Sequence, residues 1–330
     1  MSSVPRVSSA IPGEAAHFRT ALAHQPVLAA RFGALYGALW GSDVLPARIK
    51  EICRMRNARI TACGFCRQVR FAKPREAGLD ETVIDEVTDD YARSPRLSAA
   101  EKAALRFTDA LNFDPALFDG DARADLHRHF TPPQIAELTL AVMLFLALAK
   151  VLITLGLEPE GLDITTLPTP AGAPLPAAPP LADKAAPLDP SLDPPLVTVL
   201  AERPELLEGF AQFLGALRDE RLLEPALYDR LRGQIASAHG DGPPLAPSSD
   251  ENERMRTLLA YADKIPFAHH AITDDEAADV RALLGDAGYV AFTVAAVLFD
   301  AITRAQHVHD QPTAHPASQA SQPMAAATMA

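Results

Sequence analysis

The sequence predicts an all-α protein made of two tandem copies of one helical unit. Three observations predict this: a composition rich in alanine and leucine, helix-start signals along the chain, and blocks of sequence that recur in the same order. Apolar residues make up 48% of the 330 residues and aromatic residues only 6%, which suits helix packing better than sheets. A chain of this length can form two domains, each with its own core.

The recurring blocks fall into two sets. Residues 22–26 (LAHQP) recur as residues 200–204 (LAERP), an offset of 178. Residues 105–109 (LRFTD) recur as residues 259–263 (LAYAD), an offset of 154, so the second copy has lost about 24 residues between the two blocks. Blocks that recur in the same order predict a tandem repeat with a degenerate second copy.

Helix starts are marked by capping boxes, in which a side chain and a backbone N–H three residues apart satisfy each other. The pairs with this spacing are Ser98 with Glu101, Thr131 with Gln134 and Thr273 with Glu276. The helix after Thr131 is apolar on nearly every face, and Gly156 is placed to end it. Such a helix must be covered on all sides, by its own domain or by a neighbouring subunit.

Composition along the chain divides it into five segments. They are a disordered N-terminus (1–14), a first helical domain (15–165), a proline-rich linker (166–195), a degenerate second helical copy (196–310) and a disordered tail (311–330). The linker contains ten prolines, which predict a stiff, extended segment and not a folded element.

Charge and hydropathy restrict the partners. A net charge of −12 argues against nucleic acid as a partner. The longest uncharged apolar run, residues 138–149, is 12 residues long, which predicts a buried helix and no membrane span. The N-terminus lacks the apolar core of a signal peptide, so we expect a cytoplasmic protein.

Two cysteines three residues apart, Cys63 and Cys66, carry the strongest chemical signal. In such a pair one thiolate can be oxidised by a peroxide or a disulfide and then resolved by its neighbour without a large chain movement. Between Arg48 and Arg75 the chain has nine lysines and arginines and one acid, Glu51. A cationic neighbourhood and a helix start both favour the thiolate, so the pattern indicates a redox pair.

Other interpretations of the pair stay open. A structural zinc site would need two more ligands, and the third cysteine, Cys53, sits in the preceding helical run without a partner at ligand spacing. A structural disulfide is disfavoured because nothing marks the chain as secreted. Two inert buried thiols would fit the general tendency of cysteine to be buried. The sequence predicts no metal and no cofactor.

The surroundings of the pair form a wider pattern. Eleven residues separate Glu51 from Cys63. The segments 97–107 (LSAAEKAALRF) and 135–140 (IAELTL) come after the two cysteines. This pattern resembles the carboxymuconolactone decarboxylase-like superfamily and, within it, the alkylhydroperoxidase D branch. The spacing of the glutamate and the two cysteines is the specific part of the resemblance.

The resemblance implies an activity and roles. It implies a thiol-dependent peroxidase or disulfide oxidoreductase of antioxidant defence, acting on a hydroperoxide and recycled by a dithiol reductant such as a lipoyl- or thioredoxin-like protein. It implies that Glu51 belongs to a proton relay, that Cys63 is the resolving and reductant-facing thiol, and that Cys66 attacks the peroxide. Members of the family assemble into rings, so a homo-oligomer is expected.

The chain departs from the family at Arg70, where the peroxidase motif has a relay histidine. Arginine cannot exchange a proton near neutral pH, but its charge can stabilise a thiolate. We therefore count Arg70 as a candidate site residue. An ion pair between Arg70 and Glu51 is the alternative, since a buried carboxylate usually needs a cation.

The second copy has lost the thiols. At the offset of 178, the positions of the glutamate and the two cysteines are taken by Asp229, Asp241 and Pro244. Four histidines in this half, His269, His270, His307 and His309, fall in a loop and near the C-terminus, and we expect surface histidines there and not a metal site. Two alternative functions stay open: a non-redox enzyme of the same superfamily, and a non-catalytic redox sensor or scaffold.

Overall fold

The computed structural model describes residues 4–159, 161–171, 192–219, 221–241 and 253–310. These residues form an all-α fold with one pair of short parallel strands, which confirms the predicted class. The first half (residues 4–171) contains α1 (Phe18–Leu22), α2 (Pro26–Gly41), α3 (Ala47–Ile60), α4 (Gly64–Gln68), β1 (Val69–Phe71), α5 (Ala72–Glu76), α6 (Glu81–Ile84), α7 (Ala99–Asn112), α8 (Gly120–His129), α9 (Pro132–Thr154) and β2 (Thr165–Leu167). The second half (the described part of residues 192–310) contains α10 (Pro194–Leu200), α11 (Pro204–Leu217), α12 (Pro225–Ala238), α13 (Glu253–Phe267) and α14 (Asp274–Asp310).

The predicted capping boxes form. Ser98 Oγ accepts the N–H of Glu101 at 3.2 Å, and the Glu101 carboxylate accepts the N–H of Ser98 at 2.7 Å. The same reciprocal bonds open α9 at Thr131 and α14 at Thr273. Gly156 follows α9 with a φ of 64°, in the left-handed region that glycine adopts without strain, and α9 ends there as predicted.

The centre of the fold is the packing of α9 against α14, one long helix from each half. Both helices are long and apolar enough to cross a membrane, so the expectation that no segment reaches that length is wrong. The most apolar part of α9 is 94% buried inside the protein, as in the core helix of a soluble protein, so the two helices are weak evidence for a span. Glu137 and Lys150 flank the uncharged run of residues 138–149. Both are buried in ion pairs, so the buried part of the helix extends beyond that run.

A second contact between the halves joins α2 and α11. The rings of Phe32 and Phe213 lie 5.8 Å apart between them, and Arg31 donates to Gln212 at 2.9 Å. The recurring blocks occupy like places: one runs from the end of α1 to the start of α2, and its counterpart from the end of α10 to the start of α11. The descent of the two halves from one unit stays a prediction.

The strands β1 and β2 were not expected from the sequence. They pair in parallel, with Val69 opposite Thr165 and Phe71 opposite Leu167. Strands of three residues are too short to show an alternating pattern. The pairing holds the chain after α9 against the segment that follows Cys66.

Two predicted boundaries differ from the structure. Disorder was predicted for residues 1–14, but Val7 is buried in the core and Arg6 binds Asp274 at 2.8 Å, so residues 4–14 are ordered. The predicted linker begins inside β2 and ends inside α10; residues 172–191 within it, residues 1–3 and the predicted tail lie outside the described residues.

Candidate functional site

A tight turn brings Cys63 to the start of α4. Ala62 has a φ of 52°, the left-handed region that costs a non-glycine residue about 1 kcal/mol or more. The N–H of Cys63 donates back to the carbonyl of Ala58 at 3.1 Å, which closes the end of α3. The chain therefore reverses between Ile60 and Gly64, and the two cysteines flank the first turn of α4.

Cys63 occupies the N-cap of α4, and its sulfur accepts the N–H of Cys66 at 3.2 Å. Both thiols are free and buried: Cys63 is 0% exposed and Cys66 is 6% exposed. Burial, together with the neighbouring Cys66 and the Glu158 carboxylate, raises the pKa of Cys63 well above the usual value of a thiol. Cys63 therefore stays protonated at neutral pH, and its sulfur lies next to the start of the turn that carries Cys66.

Glu51 is neutralised by Arg54 and not by Arg70. The Arg54 guanidinium donates to the two carboxylate oxygens of Glu51 at 2.6 and 2.8 Å, and both side chains are buried. Glu51 accepts a third hydrogen bond from the backbone N–H of Phe71, at 3.2 Å. The chain reversal before α4 therefore brings β1 back to Glu51, and the contact is made by the backbone of Phe71.

The side chain of Arg70 points away from this pair. It binds the carboxylate of Glu81 at 2.9 Å and donates to the carbonyls of Arg67 at 2.7 Å and Val69 at 3.0 Å. Successive side chains of a strand lie on opposite faces, and Phe71 packs under the Arg54 guanidinium at 4.7 Å. The alternative of an ion pair between Arg70 and Glu51 is therefore wrong, and the charge of Arg70 is already held by Glu81.

Arg54 links the carboxylate to the thiol segment. Besides Glu51 it donates to the carbonyl of Cys66 at 3.2 Å and to the carbonyl of Val69 at 2.6 Å. Burial by itself would lower the pKa of Arg54, but attraction and hydrogen bonding to Glu51 hold it above its usual value. Arg54 is the site residue that the sequence reasoning missed, although its position three residues after Glu51, on the same helix face, was a usable signal.

A buried phenol completes this side of the site. Tyr36 lies within electrostatic reach of Arg54 and Cys66, and burial raises the pKa of its hydroxyl above the usual value. The indole of Trp40 lies next to it, but neither the Tyr36 hydroxyl nor the Trp40 N–H has a partner with hydrogen-bond geometry among the described residues. Buried polar groups without partners are uncommon in folded proteins.

Cys53 is separate from the pair, as expected for a residue in a helix body. Its sulfur lies in α3, fully buried, 3.8 Å from the carbonyl of Ala104. Burial raises its pKa to about 12, so it remains a thiol at neutral pH. The structure gives Cys53 the environment of an inert thiol.

The second half reaches the thiol loop through its histidine turn. His270 Nε2 donates to the carbonyl of Thr61 at 2.8 Å, just before Cys63. Both ring nitrogens of His269 are buried, and burial lowers its pKa to about 3. The expectation of surface histidines is wrong for His269, because the turn packs against the end of α9.

The C-terminal histidines of α14 also have defined partners. His309 Nε2 lies 3.0 Å from Thr139 Oγ1, and burial lowers the pKa of His309 to about 4. His307 is more open and binds Asp241, the residue at the position of Cys63 in the second half, at 2.7 Å. Among the residues that the structure describes, no group of three or more histidines, cysteines or carboxylates is arranged to hold a metal ion.

Comparison with known proteins adds little to this geometry. The chain is 31% identical over 130 residues to an uncharacterized protein of Mycobacterium tuberculosis strain CDC 1551 / Oshkosh, and equally to one of strain ATCC 25618 / H37Rv. The match covers 39% of this chain and 45% of each relative, so the chain spans less than half the length of the curated relatives it matches. No family model matches the chain, and no solved structure matches it.

Proposed function

We propose that the protein is a thiol-dependent peroxidase or disulfide oxidoreductase of antioxidant defence, of the alkylhydroperoxidase D-like kind, with Cys63 and Cys66 as its redox pair. The observation that carries the proposal is the contact between them: the sulfur of Cys63 accepts the N–H of Cys66 at 3.2 Å across the first turn of α4. Two free thiols so placed can close a disulfide with little backbone movement.

The surroundings favour Cys66 as the attacking thiol. The Arg54 guanidinium binds the carbonyl of Cys66 at 3.2 Å, which places a cation beside this residue, whereas burial raises the pKa of the Cys63 thiol. The Cys66 thiolate attacks the terminal oxygen of the hydroperoxide, the O–O bond breaks, and the alkoxide leaves as an alcohol with a proton from water. The thiol of Cys63 then attacks the sulfenic acid, the disulfide forms, and water leaves with the proton of Cys63.

A cleft lined in part by Phe65 suits an organic substrate. It has a volume of about 430 Å³, and Phe65, the residue between Gly64 and Cys66, lines it together with Phe18 and Leu152. These apolar side chains, one residue in sequence from Cys66, would bind the organic part of an alkyl hydroperoxide.

The rest of the proposal follows the resemblance. A dithiol reductant, such as a lipoyl- or thioredoxin-like protein, would restore the thiols, and the protein would work in the cytoplasm as a homo-oligomer without a bound cofactor. Glu51 would keep the carboxylate of the family's relay, with Arg54 as its partner. Arg70 would contribute to the site only by fixing the segment after Cys66 through Glu81.

Turnover tests the proposal. Cumene hydroperoxide consumption with dithiothreitol as reductant should be catalysed by the wild type and should fall to background in Cys66→Ser and Cys63→Ser. Cys53→Ser is the matched control, because this thiol is buried against Ala104, and it should retain the rate. Activity that survives Cys66→Ser would contradict the proposal and favour a non-redox enzyme of the same superfamily.

The burial of both thiols favours a second candidate, a redox sensor or scaffold without turnover. Cys63 is 0% exposed, and Arg70 cannot exchange a proton near neutral pH. A sensor would lose two thiols to one equivalent of peroxide and regain them with dithiol, but the steady-state rate would stay at background.

A further inference from the structure

The thiol loop, residues 61–64, closes Cys63 off from solvent. Cys63 is 0% exposed, so a reagent can reach its sulfur only after the chain around it has moved. Buried groups of folded proteins react through such local openings, and the contacts that an opening breaks set how often it occurs. The contacts that hold the thiol loop therefore decide how readily Cys63 reacts.

The thiol loop carries backbone groups that its own helices leave without partners. Thr61 is the C-cap of α3, and Gly64 is the first residue of α4. The last carbonyls and the first N–H groups of a helix have no partner inside that helix, so they need one from elsewhere. For the carbonyl of Thr61 and the N–H of Gly64, the partners are side chains from distant parts of the chain.

One of these partners comes from each half of the protein. His270, in the histidine turn of the second half, donates from Nε2 to the carbonyl of Thr61 at 2.8 Å. Glu158, in the segment that follows α9, accepts the N–H of Gly64 through its carboxylate. The two contacts lie on either side of Cys63 in the sequence. A movement of the loop that uncovers Cys63 therefore breaks both of them.

The loop has both a reason to open and room to do so. Ala62 has a φ of 52°, the left-handed region in which the Cβ of a non-glycine residue crowds the backbone. Backbone strain of this kind persists only where the surrounding structure holds it. The side chains of Glu158 and His270 also border a cavity of about 230 Å³, so each has space to turn away from the loop.

We propose that the contact between the two halves is a gate on the thiol pair, in which His270 and Glu158 keep the thiol loop closed. When both hydrogen bonds break, the loop moves and Cys63 becomes accessible; when they form again, Cys63 is buried. The second half, which contains no cysteine, thereby controls the chemistry of the first. The gate acts on any reagent that attacks Cys63, whether or not the protein reduces a hydroperoxide.

Thiol labelling of the full chain tests the gate. The reduced protein is pulsed with N-ethylmaleimide at pH 7, digested with trypsin and analysed by mass spectrometry. Trypsin cuts after Arg54 and Arg59, so Cys53 lies on a different peptide from Cys63 and Cys66, and fragmentation distinguishes the two members of the pair. Because the label is not an oxidant, the measurement does not depend on the redox chemistry of the pair.

We expect His270→Ala and Glu158→Ala each to label Cys63 about two- to tenfold faster than the wild type, the effect of losing one hydrogen bond that stabilises the closed loop. The double variant should exceed either single variant, because opening breaks both contacts. Cys53 should keep its wild-type rate in all three, since it is fully buried in the body of α3 and reports on unfolding of the whole protein. His127→Ala, which removes an exposed histidine of α8, should match the wild type.

Glu158→Gln separates the hydrogen bond from the charge. The carboxamide oxygen still accepts the N–H of Gly64, so Cys63 should label at close to the wild-type rate. Equal acceleration in Glu158→Gln and Glu158→Ala would assign the effect to the charge and overturn the gate. Wild-type rates in His270→Ala and Glu158→Ala would also overturn it, as would Cys53 accelerating by the same factor as Cys63, because the variants would then loosen the whole fold.

Discussion

Arg54 neutralises Glu51 through hydrogen bonds of 2.6 and 2.8 Å, with both side chains buried in the first half of the protein. The same guanidinium reaches the carbonyl of Cys66 at 3.2 Å. This one side chain therefore joins the carboxylate of α3 to the thiol segment. Stability and thiol chemistry should both depend on it.

The ion pair between Glu51 and Arg54 predicts that two arginine substitutions lower the free energy of unfolding by different amounts. Arg54→Met leaves the Glu51 charge buried without a partner and should lower the free energy of unfolding by about 3–5 kcal/mol. Arg70→Met should cost less, because Glu81 is partly exposed and keeps Arg75 as a partner. Urea unfolding measures both, and the double variant Glu51→Gln/Arg54→Met should recover part of the loss. An equal or larger cost for Arg70→Met would contradict this assignment.

Thiol reactivity should follow the same distinction. In a Cys53→Ser/Cys63→Ser background, Arg70→His should leave the pH profile of Cys66 alkylation by iodoacetamide unchanged, because Arg70 is bound to Glu81. Arg54→Met in that background should move the profile to higher pH, since the thiolate loses a nearby cation. If the alkylation profile moves in Arg70→His and stays unchanged in Arg54→Met, then Arg70, and not Arg54, is the cation that acts on Cys66.

Tyr36 offers a test of the unpartnered phenol. Because its hydroxyl has no hydrogen-bond partner among the described residues, Tyr36→Phe should leave the free energy of unfolding unchanged or raise it slightly. Tyr289→Phe is the matched control: this hydroxyl bonds Tyr261 at 2.8 Å, and its removal should cost about 1–2 kcal/mol. Thermal unfolding of the two variants compares them. A large loss in Tyr36→Phe would show that the hydroxyl has a partner after all.

His309 should make stability depend on pH. Burial, followed by Arg123 and His127, lowers its pKa from 6.5 to about 4. As the pH falls, the unfolded chain takes up this proton first, so stability is lost from about pH 6.5 down to about pH 4, by at most about 3 kcal/mol. His269 should act in the same direction.

His309→Gln should remove the His309 part of this loss. The comparison is urea unfolding at pH 7 and pH 4.5, with the more exposed His17→Gln as control. If the free energy of unfolding depends on pH equally in the wild type and in His309→Gln, then His309 is accessible to protons in the folded protein.

Local signals predicted much of the fold. The capping boxes at Ser98, Thr131 and Thr273, and the end of α9 before Gly156, depend on residues close in the chain, and the structure has them as expected. The short β1–β2 pairing and the order of residues 4–14 depend on distant partners. Val7, for example, is buried only because the second half and the end of α9 pack around its segment.

The candidate site shows the same division. The spacing of Cys63 and Cys66 and the start of α4 were readable from the sequence, and so was the isolation of Cys53. For the partner of Glu51 the sequence offered a local signal, Arg54 three residues further along the same helix, but Arg70 was considered in its place. The structure shows that the Arg70 side chain binds Glu81. Glu158 and His270 reach the loop across more than 90 residues of chain, a relationship that no local pattern contains.

The central claim is that Cys63 and Cys66 form a redox pair, and mapping the thiols after one equivalent of hydroperoxide tests it most directly. The intact wild-type protein is treated at pH 7, its free thiols are titrated under denaturing conditions, and the oxidised chain is digested and mapped by mass spectrometry. The account predicts the loss of two thiols, a bridge between Cys63 and Cys66, and a free Cys53. Three thiols that remain free, or a dominant bridge to Cys53, would contradict it.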